Sequence, residues 1–212
     1  MEETLYGAGT YGSHWGSGLS SFGGTLRLGE LTSDEPIHHA LKLNVWANKW
    51  LYYGLSYEGE YNLAYVWPAD RCDNYADKDH GYKGTDPNIM MGGLLAIDGN
   101  VTAESLGLKT EVGKKLFYAL QNYGAYIVDD SYWDCFSWNI EVGVDEEVKA
   151  KYGFSLKGDV GEEPILAQYN FSYDMQQLIT NLCVVKNNYK TSIGGGGTPR
   201  VPLAPDLPII EE

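Results

Sequence analysis

The segment PIHHALKLNVW, residues 36–46, carries the clearest strand pattern in the chain. Side chains alternate between the two faces of a β-strand, so every second residue shares a face. One face takes the aliphatic residues together with one histidine: Ile37, His39, Leu41, Leu43 and Val45. The opposite face takes His38, Ala40, Lys42, Asn44 and Trp46, and we expect it to meet solvent. The two adjacent histidines therefore point to opposite sides and do not form one metal site.

The rest of the chain predicts further strands and fewer helices. Strand patterns cover residues 25–31, 61–67, 89–97 and 125–129, and another follows residue 182. The best helix pattern covers residues 110–124, where Thr110 can cap the start and Gly124 suits the left-handed exit. Shorter helices are predicted at 145–152 and 172–182. This pattern predicts a mainly β fold, a single-domain β-sandwich or jelly roll decorated by one long and two short helices.

The length of 212 residues suits one domain with flanking segments. Residues 1–24 include a Gly/Ser-rich run and are expected to form an N-terminal arm or loop. Residues 25–193 are expected to form the β domain, and residues 194–212 a Gly/Pro-rich tail.

The charge and composition exclude several classes of partner. The net charge is −14, so the chain lacks the basic surplus that binds nucleic acid or anionic membranes. No apolar run approaches the about 20 residues of a membrane span, and the first ten residues lack a signal-peptide pattern. With 17 Tyr and 6 Trp against 5 Phe, the aromatic residues suit half-wet grooves, as in extracellular β proteins. Neutral ligands, cations and basic partners remain.

Four short motifs occur in a specific order: HAL at 39–41, YVWPA at 65–69, MG at 91–92 and ALQNYGAYIVDD at 119–130. Together they resemble a group of secreted bacterial and fungal β-rich proteins of unassigned activity. The resemblance covers residues 16–205. It implies one extracellular or surface-associated β-rich domain associated with carbohydrate.

Four residues are candidates for catalysis on a glycan: Glu30, His39, Asp129 and Asp130. Glycan-cleaving enzymes use paired carboxylates, or a base such as His beside a charge neutraliser. We therefore expect a cleft near His39, Glu30 and Asp129. The alternative is structural: the two aspartates end a strand at a turn, and His39 is a core histidine bonded to Glu30 or Asp129.

Five residues are candidates for ligand binding. Trp67, Trp133 and Trp138 offer flat faces on which sugar rings can stack, or they fill the core. His14 and Trp15 lie in the Gly/Ser-rich run, which is either a loop over a cleft or a set of turns.

The acidic loop DRCDNYADKDHG, residues 70–81, is a weak candidate for calcium. Asp73, Asp77 and Asp79 supply the hard oxygen ligands that Ca²⁺ takes, although the EF-hand spacing is missing. The alternative is a solvated loop without metal. No other cofactor is expected.

Two functions therefore stay open. The first is a polysaccharide-cleaving enzyme, a hydrolase or a lyase, that acts on a glycan. The second is a non-catalytic glycan-binding or structural subunit of a surface, virion or filament assembly, which self-associates through its Gly/Pro-rich termini.

Overall fold

The structure is a computed structural model, and it describes residues 14–54, 64–157 and 165–202. In these ranges the strands are β1 (Leu41–Val45), β2 (Leu94–Ile97), β3 (Ala125–Asp130), β4 (Phe136–Trp138) and β5 (Leu182–Val184). The helices are α1 (Ala47–Trp50), α2 (Glu111–Asn122), α3 (Val144–Tyr152) and α4 (Leu166–Thr180), with a 3₁₀ turn at Ile193–Gly195.

The strands form one mixed sheet in the order β4-β1-β3-β2-β5. β1 and β3 are parallel, and the other neighbouring pairs are antiparallel. Helix α2 packs on β2, and α4 packs on α2. The predicted β-sandwich or jelly roll is therefore wrong, because a single five-stranded sheet with helices replaces two facing sheets.

The interior strand β1 explains why alternation was a poor guide to the fold. Leu41, Lys42 and Leu43 are all buried, although Lys42 was expected on the solvent face. Alternation assumes one wet face, whereas a parallel strand inside a sheet is covered on both faces. His38, which precedes the strand, is exposed as expected.

Two predicted strands shrink to isolated bridges. Residues 25–31 form turns and keep one bridge, between Leu26 and Ile140. The Arg27 N–H donates to Glu30 Oε2 at 2.6 Å, and such a local bond competes with strand pairing. In the predicted strand 61–67, residues 61–63 lie outside the described ranges, and Tyr65 bridges Met91.

The helix predictions were better. Thr110 caps α2 by accepting a hydrogen bond from the Gly113 N–H at 2.9 Å, and Gly124 takes a φ of 78° after the helix. Both features confirm the expected helix ends. α3 matches the predicted 145–152 closely, whereas α4 begins six residues before the predicted 172.

The sheet face opposite α2 is covered by irregular chain. Lys42 Nζ donates to the carbonyls of Ser20 and Ser21 at 3.1 and 2.8 Å, so the segment 14–24 lies on β1. The Asp70 N–H donates to Ser17 O at 3.1 Å, which joins this segment to the 64–93 region. Residues 1–13 of the predicted arm and 203–212 of the predicted tail lie outside the described ranges. Among the described helices, none has the length and apolarity to cross a membrane.

Candidate functional site

The candidate site begins at the carboxyl end of the parallel pair β1 and β3. Leu43 pairs with Ile127, but Asn44 pairs with Asp129, so Val128 is an extra residue on β3. This β-bulge moves Asp129 to the face that carries Lys42 and Asn44. Ligand sites of open sheets that contain parallel strands favour this end of the strands.

A chain of three polar side chains runs across this face. His14 Nδ1 lies 3.2 Å from Asp129 Oδ2, and His14 Nε2 lies 3.1 Å from Lys42 Nζ. The side chains of His14 and Asp129 are 13% and 26% exposed, and Lys42 is 4% exposed. Burial, with a smaller effect of the Arg27 charge, lowers the pKa of Lys42 to about 8.

A second carboxylate, Asp73, lies beside this chain. The Tyr82 hydroxyl donates to Asp73 Oδ2 at 2.7 Å and accepts from the Asp73 N–H at 3.2 Å. Burial raises the pKa of Asp73, and the charges of Asp129 and Asp130 raise it further. An acid in this setting holds its proton at a higher pH than an exposed aspartate does.

The backbone of Gly16 marks the point where the two carboxylates meet. A Cβ atom at Gly16 would lie 2.7 Å from Asp129 Oδ1 and 3.1 Å from Asp73 Oδ2. These two oxygens are therefore separated by no more than the sum of those distances.

The third aspartate, Asp130, accepts three hydrogen bonds. Oδ1 accepts from the N–H groups of Ala47 at 2.9 Å and Tyr132 at 2.8 Å, and Oδ2 accepts from the Tyr75 hydroxyl at 2.7 Å. Burial and the bond to Asp130 raise the pKa of Tyr75. Asp130 thus fixes the chain around the site, and we call Asp73, Asp129 and Asp130 the carboxylate cluster.

A pocket of about 440 Å³ adjoins this cluster. Its lining, which we call the aromatic pocket, consists of Trp46, Asn48, Tyr75, Asp79, His80, Asp130 and Tyr132. Asp130 belongs to both the pocket and the cluster, and Tyr75, which lines the pocket, donates to Asp130. The His80 and Tyr75 rings stack at 5.7 Å, and Tyr132 is 79% exposed. Flat rings with polar groups between them suit the apolar faces and hydroxyls of a sugar.

His39 and Glu30 form a separate pair. His39 Nε2 lies 3.0 Å from Glu30 Oε1, and His39 Nδ1 lies 2.9 Å from Ala40 O. Among the described residues, no hydrogen bond or ion pair joins either side chain to Asp129, whose histidine partner is His14. The pair ties the turn at Arg27–Glu30 to the start of β1.

None of the predicted tryptophans lines the aromatic pocket. Trp133 and Trp138 line a second, largely apolar pocket of about 640 Å³ beside β4 and α4. Trp67 is half-buried before Pro68, and Trp15 is 82% exposed next to His14.

The three predicted calcium ligands do not converge. Asp73 is bonded to Tyr82, exposed Asp77 pairs with Lys78 at 2.8 Å, and Asp79 lines the aromatic pocket. Within the described ranges, no group of three or more His, Cys, Asp or Glu side chains is arranged to hold a metal ion. Calcium binding stays a prediction.

Sequence reasoning missed Lys42, Tyr75, Tyr82 and Gly16. A lysine between two leucines of a strand was the one available signal for Lys42. Tyr75 lies in the acidic loop and Tyr82 directly follows it, but the functional interpretation of this loop rested on its aspartates.

Comparisons with protein-family models, curated proteins and solved structures found no match for this chain. The resemblance to secreted β-rich proteins therefore stays a prediction.

Proposed function

We propose that the protein is a glycan hydrolase in which Asp73 is the general acid and Asp129 is the nucleophile. The observation that supports this most is the convergence of Asp73 and Asp129 on Gly16, in unlike surroundings. Glycosidases use two carboxyl groups whose environments separate their proton affinities.

The two aspartates suit different tasks. Asp73 is half-buried beside two other carboxylates, and its raised pKa favours the protonated form that donates to a leaving oxygen. Asp129 accepts from the Asp130 N–H at Oδ1 and from His14 at Oδ2, as an ionised carboxylate does.

The reaction then follows in two balanced steps. Asp73 gives its proton to the glycosidic oxygen, the bond from that oxygen to the sugar C1 breaks, and Asp129 Oδ1 bonds to C1. Asp73 next removes a proton from water, the water oxygen replaces Asp129 at C1, and both carboxyl groups return to their first state. The upper limit on the oxygen separation falls below the about 6.5–9.5 Å of inverting enzymes, so we expect retention at C1.

A serine-hydrolase mechanism is a poorer fit. In that mechanism a histidine bonds an aspartate through one nitrogen and a serine through the other. Here the second nitrogen of His14 faces Lys42 Nζ, which offers only donors.

A lyase is also a poorer fit than a hydrolase. Polysaccharide lyases act on uronates, whose carboxylate would be repelled by the three aspartates of the cluster. The net charge of −14 acts in the same direction over the whole surface. We therefore propose a neutral glycan as substrate, with its cleaved bond at Asp73 and Asp129 and its neighbouring sugars in the adjoining aromatic pocket, and an extracellular site of action.

The test is a panel of neutral and acidic polysaccharides incubated with the full chain. We expect new reducing ends from a neutral glycan, without unsaturated product, and loss of at least about 100-fold in rate for Asp73→Asn and Asp129→Asn. Asp77→Asn is the matched control, because this exposed aspartate lies in the same loop as Asp73 but accepts a hydrogen bond from Lys78 and not from the residues of the cluster.

Equal rates for Asp73→Asn and Asp77→Asn would contradict the assignment. An inverted anomer in the first-formed product, measured by NMR, would contradict the role of Asp129 as nucleophile. No reducing ends from any glycan would contradict the hydrolase itself.

The second candidate is glycan binding without cleavage, which the aromatic pocket favours by itself. Calorimetry would then show binding that Trp46→Ala weakens, while Asp73→Asn leaves it unchanged.

Assembly through the termini is a further proposal, and its test is the sedimentation of the full chain against a chain lacking residues 203–212.

A further inference from the structure

Lys42 is surrounded by three acceptors. Its Nζ lies 3.1 Å from His14 Nε2, 3.1 Å from Ser20 O and 2.8 Å from Ser21 O. A lysine ammonium has three N–H donors and no lone pair. All three hydrogens are therefore used, one of them on the histidine ring.

This arrangement decides where the ring proton of His14 lies. Because Nε2 faces a donor, it must accept, and the single proton of the neutral ring is then on Nδ1. That proton points to Asp129 Oδ2 at 3.2 Å. The other tautomer would place two donors against each other at Lys42 and two acceptors against each other at Asp129.

We propose that Lys42 is a positioning residue that locks His14 in the Nδ1–H tautomer and so directs a hydrogen bond onto Asp129. This lock, the fixed tautomer of His14, rests on the proposed function, because it would hold the nucleophile Asp129 in place. It can nevertheless be tested on the protein without any glycan. His14 is thereby a fixed donor to Asp129 and not an acid–base catalyst.

The surroundings keep the lysine in place. A Cβ atom at Gly24, whose φ is 78°, would lie 2.8 Å from Ala40 O and 2.9 Å from Lys42 Cγ, so only glycine lets the segment approach β1 this closely. Arg27 is the charged group whose field reaches Lys42, and Tyr126 is its partner on β3. With a pKa of about 8, Lys42 is mostly charged at pH 7.

The experiment is a ¹⁵N–¹H NMR correlation of the histidine rings in the full chain at pH 7. The chain has four histidines, and His14→Gln identifies the His14 signals by their loss. We expect a protonated Nδ1 and an unprotonated Nε2 at His14. Lys42→Met should abolish this pattern, since Nε2 is then free to take a proton, and Lys42→Arg should restore it by supplying an N–H donor.

Lys115→Met is the matched control. Lys115 is a half-buried lysine that, like Lys42, donates to two backbone carbonyls, here those of Glu30 and Glu35, but its described hydrogen bonds do not reach His14. We expect the His14 pattern to survive this substitution.

An Nε2–H tautomer or a doubly protonated ring in the wild type would overturn the proposal, as would an unchanged pattern in folded Lys42→Met. If Lys42→Met does not fold, the wild-type ring decides alone, because an Nε2–H tautomer there overturns the lock. A lock found without any glycan cleavage would leave this inference standing and remove only the hydrolase.

Discussion

At the scale of the residue, Gly16 is needed for contact and not for backbone conformation. A methyl group there would meet Asp129 Oδ1 at 2.7 Å and Met91 Cε at 3.0 Å. We predict that Gly16→Ala displaces Asp129 and lowers the free energy of unfolding by about 1–3 kcal/mol, as overpacking does. Urea denaturation measures the change.

Gly23→Ala in the same segment is the control for that prediction. Its Cβ would meet only Ser20 Cβ, at 3.9 Å, so we expect a change within about 0.5 kcal/mol. Similar losses from both substitutions would show that the segment resists any side chain, and not that Gly16 makes room for the carboxylates.

The raised pKa of Asp73 predicts a particular pH dependence of stability. The folded chain binds this proton more tightly than the unfolded chain does. The contribution of Asp73 to the free energy of unfolding is therefore fully present below pH 3.8, the ordinary pKa of aspartate. It is lost as the pH rises through the raised pKa of the folded chain. Asp73→Asn removes that loss and still accepts from Tyr82. We predict that the melting temperature of Asp73→Asn minus that of the wild type grows from pH 3.5 to pH 7.

The reverse trend, in which the wild type gains on the variant as the pH rises, would mean that folding lowers this pKa. Asp77→Asn is the control, and here the expected trend is reversed, because its neighbour Lys78 lowers the pKa of Asp77.

The residue types in the sequence identified part of the site, but they did not indicate which side chains bond to each other. His14, Asp73 and Asp129 were all singled out from the sequence, each with a different role or a different partner. His14 and Asp129 are 115 positions apart, and nothing local to either residue indicates the other. Lys42 was assigned to solvent because its burial depends on the segment that folds over β1.

At the scale of the element, helix α2 is capped by a neighbouring helix as well as by its own Thr110. Asp174 on α4 is fully buried and accepts from Lys109 N at 2.7 Å, Thr110 N at 2.8 Å and Thr110 Oγ1 at 2.6 Å. We predict that Asp174→Ala lowers the free energy of unfolding by about 3 kcal/mol or more, because buried donors lose their acceptor. Equilibrium urea unfolding measures it.

Glu111→Ala provides the comparison for this prediction. Glu111 starts the same helix, but it is exposed and its ion pair within the described ranges is with Lys114, so we expect a change of about 0–1 kcal/mol. Equal effects of the two substitutions would mean that the charge near the helix start matters and the buried bonds do not.

The elements themselves were partly predictable. β1, β3 and α2 have strong local signals, namely apolar runs, a Thr cap and a Gly exit, and the structure contains all three. The arrangement of the strands was not predictable, because the pairing of β1 with β3 joins segments more than 80 positions apart. The number of predicted strands pointed to a second sheet that does not exist among the described residues, where residues 25–31 form turns with one isolated bridge.

At the scale of the whole molecule, the net charge of −14 makes the folded state repel itself. Raising the salt from about 0.01 M to about 1 M shortens the screening length from about 30 Å to about 3 Å. We predict that sodium chloride raises the melting temperature at pH 7, by about 2–4 °C for each kcal/mol of repulsion relieved. Scanning calorimetry at both salt levels measures the rise.

The control is the same pair of salt concentrations near pH 4.6, the isoelectric point, where little net charge remains to be screened. A rise of the same size there would show that the salt acts through apolar hydration and not through charge.

The bulge at Val128 affects how proteins related to this chain can be recognised. Four residues lie between Gly124 and Asp129, and one of them, Val128, has no partner on β1. A regular strand with one residue fewer would still set its aspartate opposite Asn44. Relatives that carry this site can therefore differ by an insertion or deletion at this point. The residue that pairs with the aspartate on β1 identifies them better than the number of residues between the glycine and the aspartate.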